Sequence, residues 1–297
     1  MTDEEQNILD GRRGPVLRKA LRAIVRYGEA FGADRLVPIV SSHLVIGTGA
    51  LLFIQYARML RETADAGLVF PVPTTVNPRA YDLDDASLAV RLAYPRQRTM
   101  EALLTKLGCA DTFTCTPYLA DNVPAAGDCI TWAESSAAVY ANSVLGARTN
   151  VTPAPMDLMY AILGRAPEYG LLRDEGRLAV CRVVVHPDAN SEPALLGYAI
   201  GLKVQRGVPW VEGIDCTPDS FKDMSAAANC AGLLPLIHVP GFTYEARQLG
   251  ESLVRPDATT VRITREDVAA ARSQLRGFDC TPTHVVLGCP HLSVEQV

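Results

Sequence analysis

Several features that would classify this 297-residue chain at a glance are missing. It has eight cysteines but no Cys-x-x-Cys pair, which disfavours zinc ribbons, thioredoxin-like redox motifs and ferredoxin-type runs. No run of Arg and Lys carries interleaved aromatic residues, and the formal net charge is −5, so the electrostatic footprint of a nucleic-acid binder is missing. There is no Gly-x-Ser-x-Gly elbow, P-loop, His-Glu-x-x-His or Gly-x-Gly-x-x-Gly; serine-hydrolase and dinucleotide-binding readings therefore have no support. The opening MTDEEQNILDGRRG lacks the apolar stretch of a secretory signal and the character of a transit peptide, and a cytoplasmic protein is expected. Residues 36–57, LVPIVSSHLVIGTGALLFIQYA, carry no formal charge over a bilayer-spanning length. Ser41, Ser42, His43, Gly47, Thr48 and Gly49 interrupt that run as a strand, a loop and a buried helix would, so no membrane span is expected.

What remains is the balance of a globular protein with a substantial core: 48% hydrophobic and 21% charged residues. In a reducing compartment most of the cysteines are expected as small buried hydrophobes rather than as a disulfide framework. A small-molecule partner fits this composition better than a polyanion.

Along the chain, Thr-Asp-Glu-Glu at 2–5 is a capping-box pattern, and after Pro15 the apolar residues Val16, Leu17, Leu21, Ile24 and Val25 recur at helical spacing. RLVPIVSSH reads as a buried strand entering a polar loop, followed by a helix around 50–65 and a second strand-like run, GLVFPVPTTVNP. Residues 86–107 read as a helix, TFTCTPYL as a short strand broken at Pro117, and ITWAESSAAVYANSVLG as a helix with Gly146 as its C-cap. Further on, RLAVCRVVVH, LLPLIHVPG and THVVLGCPHLS read as strands, while SFKDMSAAANCAG and TREDVAAARSQLRG read as helices, the latter with Thr264 and Asp267 near its start. This alternation predicts an α/β fold with a mostly parallel sheet, in which ligands gather beyond the carboxyl ends of the strands. The polar stretch 170–195 marks a lobe boundary, giving lobes 1–175 and 176–297. Cys-Thr-Pro occurs three times, at 115, 216 and 280, without a repeat period.

The unusual segment is residues 113–150, which sets two cysteines, Trp-Ala-Glu-Ser-Ser and Arg-Thr-Asn among small apolar residues. Cys115 sits between a strand and a proline turn, and Cys289 sits in Gly-Cys-Pro-His after another strand; each is either an outward-facing metal ligand or an inert thiol. Ser135, Ser136, Asn142 and Ser143 either line a pocket or, for the serines, bond back to the preceding helical turn. Glu134 and Arg148 stand between apolar runs, as functional charges or as an ordinary ion-pair set. His43 reads as a satisfied polar group in a loop and His291 as a surface or supporting histidine.

Taken together, TDEEQNILDGRRG, VPTTVNP, the 115–150 block, GRAPEYGL and LGCPHLS resemble, in order and from residue 2 to the end, the large catalytic part of the aconitase X family. The resemblance implies an aconitase-like α/β fold of mostly parallel sheets flanked by helices. It also implies hydro-lyase activity on a hydroxylated acid, with cis-3-hydroxy-L-proline as the leading substrate and mevalonate 5-phosphate as the runner-up. An iron-sulfur cluster or related iron site held by three cysteines is implied, with Cys115 and Cys289 as two of the ligands. By the same resemblance Ser135, Ser136 and Asn142 are catalytic candidates, and Ser42, His43, Thr75, Asn77, Arg148 and Asn150 substrate-binding candidates. A small swivelling domain or subunit is implied as a partner.

Two departures accompany the likeness. The family continues Thr-Asn with Arg-Glu-Gly-Gly-Pro, whereas Asn150 here precedes Val151, Thr152, Pro153, Ala154 and Pro155, removing a cation and a carboxylate. The family's third ligand cysteine lies in a segment beyond Gly-Cys-Pro-His that this sequence does not contain, and neither Cys216 nor Cys280 matches its motif. The expectation is a chain truncated at that point, so an inactive paralogue acting as a binding protein stays open beside the enzyme.

Overall fold

The computed structural model describes residues 1–46, 50–79, 87–93, 97–190, 192–275, 277, 281, 283–284 and 289–296. They form two compact units that interleave along the sequence. The first comprises Met1–Pro124, Asp128–Glu134 and Thr149–Arg173, and the second Ala125–Gly127, Ser135–Arg148 and Asp174–Val297. The expected lobes divide the sequence once, near 175; the compact units cross that line by carrying Ser135–Arg148 with the second.

In the first unit the capping box is realised. Thr2 Oγ1 accepts the Glu5 N–H at 3.2 Å, and the Glu5 carboxylate accepts the Thr2 N–H at 2.8 Å, starting the helix Asp3–Leu9. The helix Pro15–Ala30 turns Ala20, Leu21 and Ile24 into the core. Its opposite face gathers Arg18, Arg22 and Arg26, four residues apart and exposed: a basic stripe that no linear run announces, because the helical period makes it.

Six short strands follow: β1 (Leu36–Pro38), β2 (Ser42–Leu44), β3 (Thr74–Val76), β4 (Cys109–Phe113), β5 (Thr131–Trp132) and β6 (Arg165–Pro167). Four of them form a parallel sheet in the order β4-β3-β2-β5, while β1 and β6 pair antiparallel. Prolines help to limit these strands, since Pro38 ends β1 and Pro73 and Pro78 flank β3 with no N–H to donate. Helices Ala50–Asp65 and Gln97–Lys106 pack beside the sheet, contributing Leu60 and Leu104 to one core with Leu158 and Tyr160 of the helix Ala154–Leu163.

The second unit has longer strands, β7 (Ala179–Val185), β8 (Pro209–Glu212) and β9 (Val254–Ile263), parallel in the order β8-β7-β9. Its helices Pro193–Val204 and Pro218–Gly232 lie backbone against backbone. A Cβ on Gly197 would stand 2.0 Å from the Met224 carbonyl oxygen, and one on Gly232 2.3 Å from that of Gly201, so only glycine permits the approach. The capping box of Thr264 and Asp267 starts the helix Arg265–Gln274. Parallel sheets flanked by helices make this the expected α/β fold.

Several expected elements differ. ITWAESSAAVYANSVLG does not begin as a helix: Thr131 and Trp132 pair with Ser42 and His43 as β5, and the helix runs from Ser135 to Tyr140. A π-helical turn, Ala141–Leu145, then leads to Gly146 at φ +71°, where a Cβ would meet the Tyr244 ring at 2.5 Å. LLPLIHVPG contributes only one bridge, His238 to Trp210, because Pro235 and Pro240 lack donors on either side. The strand β9 was not foreseen: VRPDATTVRI is largely exposed and polar and gives no apolar run. Residues 285–288 of the expected strand THVVLGCPHLS, part of the helix expected over 86–107, and Cys280 lie outside the described residues, and the described residues of THVVLGCPHLS form no strand. Among the described residues no helix is long and apolar enough to cross a membrane.

Candidate functional site

In the first unit the parallel register places Thr75, His43 and Trp132 side by side across β3, β2 and β5. The two-residue period of a strand puts Ser41, Asn77 and Glu134 on the same face and Ser42, Thr74 and Thr131 on the other. The first face is wired together. Trp132 Nε1–H donates to Ser41 Oγ at 3.0 Å, and Ser41 Oγ–H donates to Asn122 Oδ1 at 2.7 Å. Asn122 Nδ2 donates to Thr75 Oγ1 at 2.8 Å, and Thr75 Oγ1 meets His43 Nδ1 at 2.8 Å. His43 Nε2 meets Asn77 Oδ1 at 2.7 Å, and Asn77 Nδ2 donates to the Glu134 carboxylate at 2.6 Å.

His43 is fully buried, and burial pulls its pKa down to about 4 against the opposing influence of Asn77 and Glu134; the ring is neutral at physiological pH. It lies on a strand with both nitrogens satisfied, rather than in a loop as expected. Asn77 and Glu134 follow β3 and β5, and Cys115, buried, follows β4. All four strands run the same way, so these residues share the carboxyl edge of the sheet, where ligands of open α/β sheets bind.

The other candidates of this unit have different surroundings. Ser42 faces the opposite side, accepting the Thr131 hydroxyl at 3.2 Å. Asn150 braces a turn: its Nδ2 donates to the Tyr169 carbonyl at 2.9 Å and its Oδ1 accepts the Leu171 N–H at 2.8 Å, around Gly170 at positive φ. In the segment that departs from the family pattern, Thr152 Oγ1 contacts both oxygens of Asp157 at 3.0 and 2.9 Å. Burial raises the Asp157 pKa well above the ordinary carboxylate range, with the Thr152 hydroxyl opposing it.

In the second unit Asn142 is fully buried and engaged on both ends of its amide. Nδ2 donates to the Pro235 carbonyl at 2.9 Å, and Oδ1 accepts Arg177 Nη1 at 3.1 Å. Arg177 also donates to the Asn142 carbonyl at 3.0 Å and pairs with Glu245 at 2.7 Å. Burial pulls the Arg177 pKa below its ordinary value, and Glu245 opposes that. His238 is buried against the Arg177 carbonyl, 2.8 Å from Nε2. Ser143 accepts the Ile237 N–H at 2.9 Å, and the Ser135 carbonyl accepts Asn229 Nδ2 at 2.9 Å. Ser135 is exposed, Ser136 is buried, and Arg148, about a quarter exposed, pairs with the exposed Asp174 at 2.5 Å. Cys289 is exposed, and the carbonyl of His291 accepts Lys222 Nζ at 3.1 Å.

Among the described residues no group of three or more His, Cys, Asp and Glu side chains is placed to hold a metal ion, and the two expected ligands stand on different units.

Sequence reasoning singled out His43, Thr75 and Asn77 but not their partners Ser41, Asn122 and Trp132. Asn122 lies in a loop 47 residues from Thr75 and carries no pattern of its own; only Trp132 and Glu134, inside the Trp-Ala-Glu-Ser-Ser block, offered a signal. Arg177 and Glu245 were missed for the same reason, being 68 residues apart.

Comparison with known proteins places this geometry in context. Residues 1–175 match the model of the aconitase X first domain, and residues 179–273 that of the aconitase X second domain. The chain is 34% identical, over its full length and 75% of the relative's, to the phosphomevalonate dehydratase large subunit of Thermococcus kodakarensis. It is also 34% identical over 98% of its length to the cis-3-hydroxy-L-proline dehydratase of Pseudomonas aeruginosa, of which it spans 52%. The crystal structure of aconitase X from Thermococcus kodakaraensis, described as the holo-form, superposes with a TM-score of 0.89 at 33% identity, over all of this chain and 75% of that one.

Proposed function

The chain belongs to the aconitase X family of hydro-lyases, and on that premise we propose that it is the large subunit of a dehydratase removing water from mevalonate 5-phosphate. The observation that carries this reading is the whole-chain likeness to proteins named as that large subunit, which make up most of the relatives compared. It reverses the order of the sequence-based expectation, which put cis-3-hydroxy-L-proline first.

Eliminating water from a 3-hydroxy acid requires a proton to leave the carbon beside the carboxylate while the hydroxyl departs from its neighbour. Groups that hold the anionic ends, orient the hydroxyl and exclude water lower the barrier by positioning. We assign Arg148 to an anionic end of the substrate, in exchange for its contact with Asp174, because a guanidinium matches carboxylate and phosphate geometry. Ser135 and Ser136 are assigned to hydrogen bonds with the substrate. Asn142 orients that helix by holding Arg177 and the Pro235 carbonyl. His43, Thr75 and Asn77 line the carboxyl edge of the first sheet, while Ser42 supports that sheet from its other face and Asn150 braces the turn at Tyr169 and Leu171.

A small subunit is proposed as partner from the same likeness, and a cofactor from the holo-form of the solved relative. Cys115 and Cys289 are the ligands the motifs propose for an iron-sulfur cluster or iron. No group of three or more metal-capable side chains is present among the described residues.

The test is to produce the chain with a candidate small subunit, without oxygen, and to offer mevalonate 5-phosphate and cis-3-hydroxy-L-proline separately while following the products by NMR. Turnover of the phosphate alone is expected. Turnover of the hydroxyproline alone overturns the substrate, and turnover of neither by an assembled complex supports a binding role. Iron and sulfide contents of the same preparation, before and after Cys115→Ser, test the ligand assignment.

A further inference from the structure

The face of the first sheet that carries His43 contains a chain of seven residues whose hydrogen bonds all run one way. Its direction is set at both ends. The indole N–H of Trp132 only donates, so Ser41 Oγ accepts it and sends its own proton to Asn122 Oδ1. Asn122 cannot be flipped, because its Nδ2 reaches both Thr75 Oγ1 at 2.8 Å and the Ser42 carbonyl, an obligate acceptor, at 3.5 Å. Thr75 Oγ1, having accepted from Asn122, donates to His43 Nδ1. A neutral imidazole that accepts at Nδ1 carries its proton on Nε2, which points at Asn77 Oδ1. The Asn77 amide then presents its N–H to the Glu134 carboxylate, which can only accept. Flipping Asn77 would set its nitrogen against a ring N–H and its oxygen against a carboxylate, two repulsions in a half-buried place.

We propose that His43 is a positioning residue, a neutral imidazole with its proton on Nε2, which passes one donor direction from Trp132 to Asn77 and so holds Glu134 as an oriented acceptor at the carboxyl edge of the sheet. Glu134 is thereby the chain's outlet toward a bound ligand, a role that rests on the reading of that edge as the substrate site. His43 is neither the base of the reaction nor a metal ligand, because both ring nitrogens are committed to this chain. A carboxylate gripped from behind by an amide of fixed orientation keeps one geometry when a substrate hydroxyl or ammonium group arrives. Misplacing such a group by an ångström costs about 100-fold in rate.

The tautomer is read directly on the chain, with no substrate, by long-range proton–nitrogen correlation on protein carrying 15N-labelled histidine at neutral pH. The His43 signal among the five histidines is identified by its loss in His43→Gln, or by removing the other four in turn. A proton on Nε2 and a bare Nδ1 are expected; a proton on Nδ1, or on both, overturns the proposal whatever the substrate proves to be. Asn77→Asp keeps an acceptor opposite Nε2, so the proton on Nε2 is expected to persist in that variant. Its transfer to Nδ1 alone also overturns the proposal. In the active assembly, His43→Gln keeps an N–H toward Asn77 and His43→Leu does not. A kcat loss of about 100-fold for Leu and under about tenfold for Gln, at similar KM, is expected. Equal losses reduce His43 to packing.

Discussion

The two units solve the same problem, a parallel sheet covered by helices, with opposite materials. In the first, strands of two to five residues put Thr, His, Ser and Trp at their centre and bury a polar chain. In the second, β7 buries Ala179, Cys181, Val183 and Val185, and the covering helices close on each other through Gly197, Gly201 and Gly232. Among the polar groups the second unit buries is the charged Arg177, which pairs with the largely buried Glu245 and holds Asn142. A neutral hydrogen-bonded chain orients groups at little electrostatic cost, whereas a buried ion pair demands full desolvation and holds its neighbours only while both charges stay matched.

Breaking the ion pair should therefore have the largest effect. Arg177→Ala leaves Glu245 and both Asn142 oxygens without their partner, and a loss of about 4 kcal/mol is expected in urea unfolding. The double change Arg177→Met with Glu245→Leu should recover the part due to the stranded Glu245 charge but not the part due to the Asn142 oxygens.

Acid should reveal the first unit. The His43 pKa is about 4 in the folded chain and near 6.5 when unfolded, so its contribution is full above pH 6.5 and is lost as pH falls through 4. The lost contribution is up to about 3 kcal/mol. It is measured as the difference in urea midpoint between pH 7.5 and 4.5 for wild type minus His43→Gln, so that the buried His238 and Asp157, present in both, cancel. An equal pH slope in both proteins would contradict the buried neutral ring.

Asn122→Leu leaves the Ser41 hydroxyl and the Thr75–His43 pair without the amide that directs them, and about 2 kcal/mol of destabilisation is expected by thermal unfolding. Arg148→Ala should be the mildest. Its partner Asp174 is exposed, so stability should change by less than about 1 kcal/mol, while KM of the active assembly rises and kcat changes little. An unchanged KM would return that arginine to the surface.

Local order was legible wherever it is set by neighbours a few residues apart. Both terminal capping boxes, the amphipathic helix after Pro15 and the left-handed Gly146 follow from short-range chemistry written in Thr2 and Glu5, in Leu21 and Ile24, and in a glycine at the end of a helix. The β7 run was legible as a continuous stretch rich in β-branched residues, although only the alternate residues Ala179, Cys181, Val183 and Val185 are buried. Hidden features lacked that signature: β9 is polar and exposed, and the π-helical turn at Ala141–Leu145 changes which residues of the Ser135–Ser143 segment share a face without altering its composition.

The sequence by itself determined the alternation of helices and strands, the caps, and the motif blocks that identify the family, because these depend on residues close together in the chain or on residue identity alone. Only the tertiary structure decided that His43 is a neutral donor to Asn77 and not a loop group, that Asn122 directs it, and that Arg177 rather than a motif residue holds Asn142. Each of those facts depends on atoms within about 3 Å of each other supplied by segments 32 to 91 residues apart in the hydrogen-bonded chain and 35 in the Arg177–Asn142 pair. A hydrogen bond leaves no trace in a sequence until the fold brings its two ends together.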